Sequence, residues 1–394
     1  NLMLINRNGI LFGNGAEIDV NGLVATTIDI SNTDFMNGQY HFNISPEFSN
    51  TITNRGTITA LEGGLVAFVA PGVQNTGIIN ARLGKVSLAA GNTFTLDLYG
   101  DQLVNLGVDS EVIENVTGFD GEQLKSLVSN TGSIYADGGT VAMDVRTAQS
   151  LIDGVINMSG YIQARSIAKK NGSIYLTGGN EGLVSVSGNI DATGLGANET
   201  GGIVHVLGNR VGLYDYARID VSGDAGGGLI LVGGDYQGLG LIPTAVDNYV
   251  GPNVSIFADA VTGGDGGRTI FWADRRTEFF GTIKARGGRL FGDGGFAEVS
   301  GKEELYFVGS VDTTAPNGKS GTLLLDPDYI TVSGGSGTAS ASGASSFTTY
   351  EDILESVAST TNIEMIATNS ITFNNSLSFA QTAGQSVTFT ATNG

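Results

Sequence analysis

A five-residue phrase, glycine followed at offsets of two and four by isoleucine and alanine, constrains this chain more than any other feature. It starts at Gly56, Gly77, Gly132, Gly160, Gly188 and Gly281, with relaxed copies at Ala217 (Ile219, Val221) and Gly309 (Val311, Thr313). Gly56 to Gly77 is 21 residues, Gly132 to Gly160 and Gly160 to Gly188 are 28 each, Gly188 to Ala217 is 29, and Gly281 to Gly309 is 28. The gaps of 55 residues after Gly77 and 64 after Ala217 read as two repeats each. A period of about 20 to 50 residues is the mark of a repeat architecture.

What each repeat contains decides which architecture. Apolar residues recur two apart, as in Val66 and Phe68, Val86 and Leu88, Val141 and Met143, Ile174 and Leu176, and Val204 and Val206. Period two means strands with one buried face. These strands are separated by short Gly, Asn, Asp and Ser turns that leave no room for helical crossovers. Propeller blades need about 40 to 45 residues each. The expected fold is therefore all-β, a right-handed parallel β-helix (a solenoid) with short helices and loop insertions, in which each coil bonds to its neighbours and buries a shared aliphatic column.

Such solenoids grow by adding coils, so 394 residues fit this single architecture, and the 61 glycines serve its turns. A net charge of −20 with 19 Lys and Arg offers no basic stripe for phosphates, which excludes a nucleic-acid partner. There is no cysteine, so disulfides and thiolate metal sites are excluded. No apolar run reaches the roughly 18 residues of a membrane-spanning helix.

The first 43 residues alternate apolar runs with Asn-rich turns, as suits the capped end of a β-helix. Asn6-Arg7-Asn8-Gly9-Ile10, the Phe12-Gly13 turn and the run Gly22-Leu23-Val24-Ala25 stand out there. Gly63-Gly64-Leu65-Val66-Ala67-Phe68-Val69-Ala70-Pro71-Gly72 and Gly84-Lys85-Val86-Ser87-Leu88-Ala89-Ala90-Gly91 follow. Together these resemble the secretion domain of filamentous-haemagglutinin-type exoproteins of two-partner secretion systems, whose signature is Asn-Pro-Asn-Gly-Ile. Asn6, Asn8, Gly9 and Ile10 match it, and Arg7 stands where the family has proline. The phrase Leu323-Leu324-Leu325-Asp326-Pro327 is similar to the same family.

The period lapses between Thr93 and Asn130, where Leu124, Leu127 and Val128 predict a short helix over Glu122–Val128, and Thr147–Ile152 reads as a helical turn. Tyr236 to Pro252 reads as an insertion. Thr348 and Glu351 make a capping box for a helix from Thr348 to Ala358. Four segments result: 1–131, a two-partner-secretion domain that begins within the family's pattern; 132–332, a β-helical repeat stalk; 333–346, a Gly/Ser-rich linker; and 347–394, a further β-helical segment that ends within a repeat.

No arrangement of residues points to catalysis. Polysaccharide lyases and hydrolases built on β-helices need two or three carboxylates with Arg, Lys or His on one face. Here there is no Asp-Asp pair, and His41 and His205 are far apart. His205 sits between Val204 and Val206, so it points outward. Arg275 and Arg276, beside Asp274 and Glu278, read as a solvated face. Asp224, Asp265 and Asp293 lie in glycine-rich turns, but without the tandem nonapeptide of the calcium β-roll. No metal or cofactor is expected. Trp272 points outward, packed under a loop or exposed to stack on a sugar.

The resemblance implies a secreted, non-enzymatic exoprotein at the cell surface or beyond it. Its partner would be an outer-membrane transporter whose periplasmic POTRA domains engage the secretion domain, with Asn6, Asn8, Gly9 and Ile10 as the secretion motif. The alternative for Asn6 and Asn8 is a turn that only caps the helix. Adhesin or extracellular fibre is the leading role, with a glycan or protein of a host or neighbouring cell, or further copies of the chain, as partner. The rivals are a β-helical polysaccharide-cleaving enzyme and the stalk of a contact-dependent toxin.

Overall fold

The computed structural model describes residues 1–45, 50–97, 105–112, 115–147, 154–168, 170–333, 347–357, 359–374, 376–379 and 381–393. They form two compact units: residues 1–164 with 173–189, and residues 165–172 with 190–394. Each is built of parallel coils, and the fold is a parallel β-helix. Among the described residues no helix is long and apolar enough to cross a membrane.

In the first unit three columns of strands stack in register. One runs through Leu2–Ile5, Leu23–Thr26, Leu65–Ala70, Lys85–Ala90, Thr140–Val145 and Ser173–Thr177. A second runs through Ile10–Phe12, Thr51–Asn54, Gly72–Asn75, Ser126–Asn130, Gly154–Met158 and Leu183–Val186. The glycine phrase makes the third, where Ile58, Ile79, Ile134 and Ile162 lie side by side and fully buried. Its glycine is required by close approach: a Cβ on Gly132 would fall onto the carbonyl oxygen of Gly77, and one on Gly160 onto that of Gly132.

The first column also carries apolar residues on its outer face. Val24, Ala67, Val69 and Ala89 are buried there beneath Ile28, Ile30, Phe42, Phe94 and Leu96. That cover is a three-stranded antiparallel sheet of His41–Phe42, Thr93–Asp97 and Asn105–Ser110, with the Phe42 and Phe94 rings stacked at 4.2 Å. A short helix, Asn32–Met36, precedes it, capped by Ser31 Oγ accepting from the Asp34 N–H at 3.0 Å.

In the second unit one column is Ile203–Leu207, Leu229–Val232, the start of Arg268–Phe279, Phe296–Gly301, Thr322–Leu325, Asn362–Ala367 and Val387–Ala391. The 12-residue strand Arg268–Phe279 turns the corner, so its second half pairs with Ala245–Val250 and Glu304–Phe307 in the next column. Ile219, Ile256, Ile283 and Val311 line the third. Phe271, Phe279 and Phe307 fill the inner corner with ring centroids 5.1 and 5.9 Å apart.

Several expectations are corrected. Ile79 pairs directly with Ile134, so the 55-residue gap is one coil carrying the antiparallel cover and not two coils. The 64-residue gap does hold an extra coil, at Ser255–Phe257. No helix spans Glu122–Val128. Ser126–Asn130 is a strand, and Leu127 and Val128 are both buried because its two faces are covered, which imitates helical spacing. The insertion after Tyr236 ends sooner, since Ala245–Val250 is a coil strand. Thr348 lies in the strand Phe347–Tyr350, paired with Tyr329–Ser333, and the helix is only Glu351–Glu355: a free sheet edge overrides the capping box. Thr147 forms an isolated bridge, and the remainder of that expected turn, like residues 334–346 of the linker, lies outside the described residues.

Candidate functional site

The Asn6–Ile10 motif is a tight connection between two coil strands, Leu2–Ile5 and Ile10–Phe12. The Asn6 side-chain Oδ1 accepts the Asn8 N–H at 3.1 Å, and the Gly9 N–H donates to the Asn6 carbonyl at 3.1 Å. Gly9 holds φ +96°, and a Cβ there would press on the Phe119 ring and the Thr51 carbonyl. Ile10 turns inward, 6% exposed, in register with Ile52, while the side chains of Asn6 and Asn8 stay exposed. The motif thus divides into an anchored half, Gly9 and Ile10, and a displayed half, Asn6 and Asn8.

Arg7, in the place of the family's proline, is tied down from both sides. Its guanidinium donates to the Ser45 carbonyl at 3.1 Å, and its own carbonyl accepts from Asn50 Nδ2 at 2.7 Å. Proline stiffens a turn by fixing φ; here two long-range hydrogen bonds do comparable work. In the same unit, a cleft of about 520 Å³ is lined by Leu2, Phe35, Tyr40, Leu65, Lys85 and Thr140. Burial lowers the Lys85 amine below its ordinary pKa.

The second unit holds a cluster that sequence reasoning missed. His205, Leu231, Ile270, Glu298, Leu324 and Glu364 form one outward-pointing row across adjacent strands. Glu298 is nonetheless fully buried, because the segment Gly233–Thr244 folds back over the row. Gln237, at φ +54°, donates its N–H to both Glu298 carboxylate oxygens at 3.1 and 3.3 Å, and its side-chain Nε2 to Asp326 at 2.7 Å. Burial pushes Glu298 up to about 8 and raises Asp326 as well. No spacing in the sequence announces this, since Glu298 alternates correctly as a solvent-facing residue.

Trp272 is 5% exposed and packs on the glycines of that strap, so it is no open platform for a sugar. Its Nε1 donates to Asp274 at 3.1 Å. His205 is half-buried on the same face, its pKa lowered by desolvation, and His41 Nδ1 sits 3.1 Å from Thr95 Oγ1. Arg275 pairs with Asp247, and Arg276 with Glu278 and Glu304 while lying over the Tyr306 ring. This is a surface ion-pair lattice. The glycine-turn carboxylates accept backbone N–H groups from adjacent turns: Asp224 from Asn198, Asp265 from Asp293, and Asp293 from Lys319, at 2.7 to 2.8 Å. Among the described residues no group of three or more His, Asp or Glu is arranged to hold a metal.

Parallel coils, an exposed Asn turn and a first column covered from outside define a parallel β-helix. A family model described as the TPS secretion domain matches residues 1–192. The fold is similar to the crystal structure of the HMW1 secretion domain from Haemophilus influenzae, with a TM-score of 0.64 and 30% identity over 80% of this chain and 78% of that one. A comparison with curated proteins found no match. The chain belongs to the exoproteins of two-partner secretion. It is a secreted protein whose counterpart is an outer-membrane transporter.

Proposed function

We propose that the Asn6–Ile10 turn is the surface by which the transporter's periplasmic domains take hold of this chain. The observation that carries this reading is the division within the motif: Gly9 and Ile10 are buried, whereas Asn6 and Asn8 project into solvent. Among the described residues the Asn8 side chain makes no hydrogen bond that a capping role would require of it. Residues 1–131 then serve recognition, within a family match that runs on to residue 192. Residues 132–332 are read as the β-helical repeat stalk and residues 347–394 as a further β-helical segment.

On this reading the protein is a non-enzymatic adhesin or fibre component. Coils that bury surface only on their neighbours can form one after another as the chain emerges. The absence of cysteine leaves nothing to lock the chain in an oxidising compartment. The test is to co-express the chain with its transporter and compare secreted with periplasmic protein for Asn8→Ala and wild type. Periplasmic accumulation of a folded variant supports the recognition role; undiminished secretion removes it.

A further inference from the structure

The strap and the carboxylates beneath it are not used by the export reading, and they are built as one unit. The Asp235 side chain caps the turn by accepting the Tyr236 N–H at 2.7 Å, and the Ala245 N–H closes the base on the Gly233 carbonyl at 2.6 Å. Between these ends the strap covers Leu231, Ile270 and Trp272 with Tyr236 and Ile242. Gln237, between Tyr236 and Gly238, holds two carboxylates at once through its backbone and its side chain. We propose that this strap is a proton-gated cover, shut over the Leu231–Ile270–Trp272 strip while Glu298 is protonated and lifted when Glu298 ionises.

The charges around Glu298 favour this direction. Along its row the neighbours are apolar, Ile270 on one side and Leu324 on the other. From the segment after Thr322–Leu325 comes Asp326, itself beside Asp328; from Asn362–Ala367 comes Glu364; and from the strap come Tyr236 and Asp235, the latter facing His205. The cation of the cluster is Arg268, whose guanidinium lies over the Tyr236 and Phe296 rings at 4.9 and 4.7 Å. With the Gln237 N–H, which favours the ionised form more strongly, it opposes the effect of burial without reversing it, and Glu298 is pushed up to about 8.

Ionisation leaves a buried carboxylate with the Gln237 N–H as its backbone donor, and that cannot replace a hydration shell. Repulsion from Asp326 adds to the cost. The simplest relief is local: the strap lifts, water reaches Glu298, and the coils beneath keep their ladder. Regions held by few buried contacts open below the free energy of global unfolding.

Trp272 is the only tryptophan of the chain and lies under the strap, so it reports the state of the cover. The full chain is titrated from pH 6 to 9 while its emission maximum and its quenching by acrylamide are followed. A red shift with rising quenching, its midpoint within about a unit of pH 8 and with unchanged far-UV circular dichroism, is expected. Glu298→Gln keeps an acceptor for the Gln237 N–H but cannot ionise, so its emission should stay flat. Asp326→Asn should move the midpoint to lower pH. A flat wild-type curve, or the same transition in Glu298→Gln, overturns the proposal. If Glu298→Gln does not fold, hydrogen exchange on the wild type decides. Peptides spanning Asp235 to Ile242 should lose protection at pH 9 while Ile203–Leu207 keeps it, and equal protection at both pH values overturns the cover.

Discussion

Asn75 donates its side-chain Nδ2 to Asn130 Oδ1 at 2.7 Å, although 55 residues separate them. Asn54 in turn donates to Asn75 at 2.8 Å, and all three side chains are fully buried. A polar ladder therefore runs inside the first unit, each amide placed two residues before the glycine of its coil. Parallel register makes this affordable, because every coil delivers the same atom to the same height. Asn75→Ala should leave partners on both neighbouring coils unsatisfied and cost about 1 to 3 kcal/mol. A chemical-denaturation midpoint equal to wild type would show that the ladder contributes nothing.

Gly132→Ala should be far more damaging than Gly13→Ala. The first places a methyl group on the Gly77 carbonyl, whereas the second meets nothing within 4 Å. Thermal melting of the two variants checks this, and equal melting temperatures would contradict the close-approach role.

Val206→Asp puts a carboxylate at a fully buried inward position with no partner. The expected loss is several kcal/mol, on the order of the desolvation penalty of an uncompensated buried polar group. Unchanged melting would mean that this side chain does not face the column.

Stability should fall as pH rises from about 4.5 towards 8, because Glu298 binds its proton more tightly folded than unfolded. Its contribution is fully present below pH 4.5, is lost through the folded pKa, and is absent above it. The melting temperature of wild type relative to Glu298→Gln should therefore decline between pH 5 and 9. A constant difference across that range would contradict the assignment.

Ser129 and Asn157 are register neighbours on adjacent coils, with Asn157 Nδ2 donating to Ser129 Oγ at 3.4 Å. Parallel strands lie about 4.8 Å apart, within disulfide reach. Cysteines at both positions should close a loop in an oxidising periplasm, holding back the unfolded chain by about 3 to 4 kcal/mol. Export should stall and recover with reductant, while each single-cysteine chain is secreted normally. Oxidised double mutant found outside the cell would argue against passage as an extended chain.

The coil itself was legible from residues because period two is a local property of a strand with one buried face. The inward pairs Val66 with Phe68, Val141 with Met143 and Val204 with Val206 are all fully buried, as their alternation implies. The Asn6–Ile10 turn was legible as a string, but not which half of it would be displayed. That depends on Phe119 and Thr51, which close around Gly9 from distant parts of the chain.

By itself, then, the sequence determined a parallel solenoid, its inward residues and the glycines that let coils touch, since each repeat states these within a few neighbouring positions. Tertiary structure alone decided what covers the outside. Val69 and Ala89 are buried by an antiparallel sheet, and Glu298 and Trp272 by a strap, in strands whose alternation assigns those positions to solvent. Which loop folds back over an outer face is settled by long-range packing. That is also why the Glu298 carboxylate, pushed up to about 8, carries no signature in its neighbours along the chain.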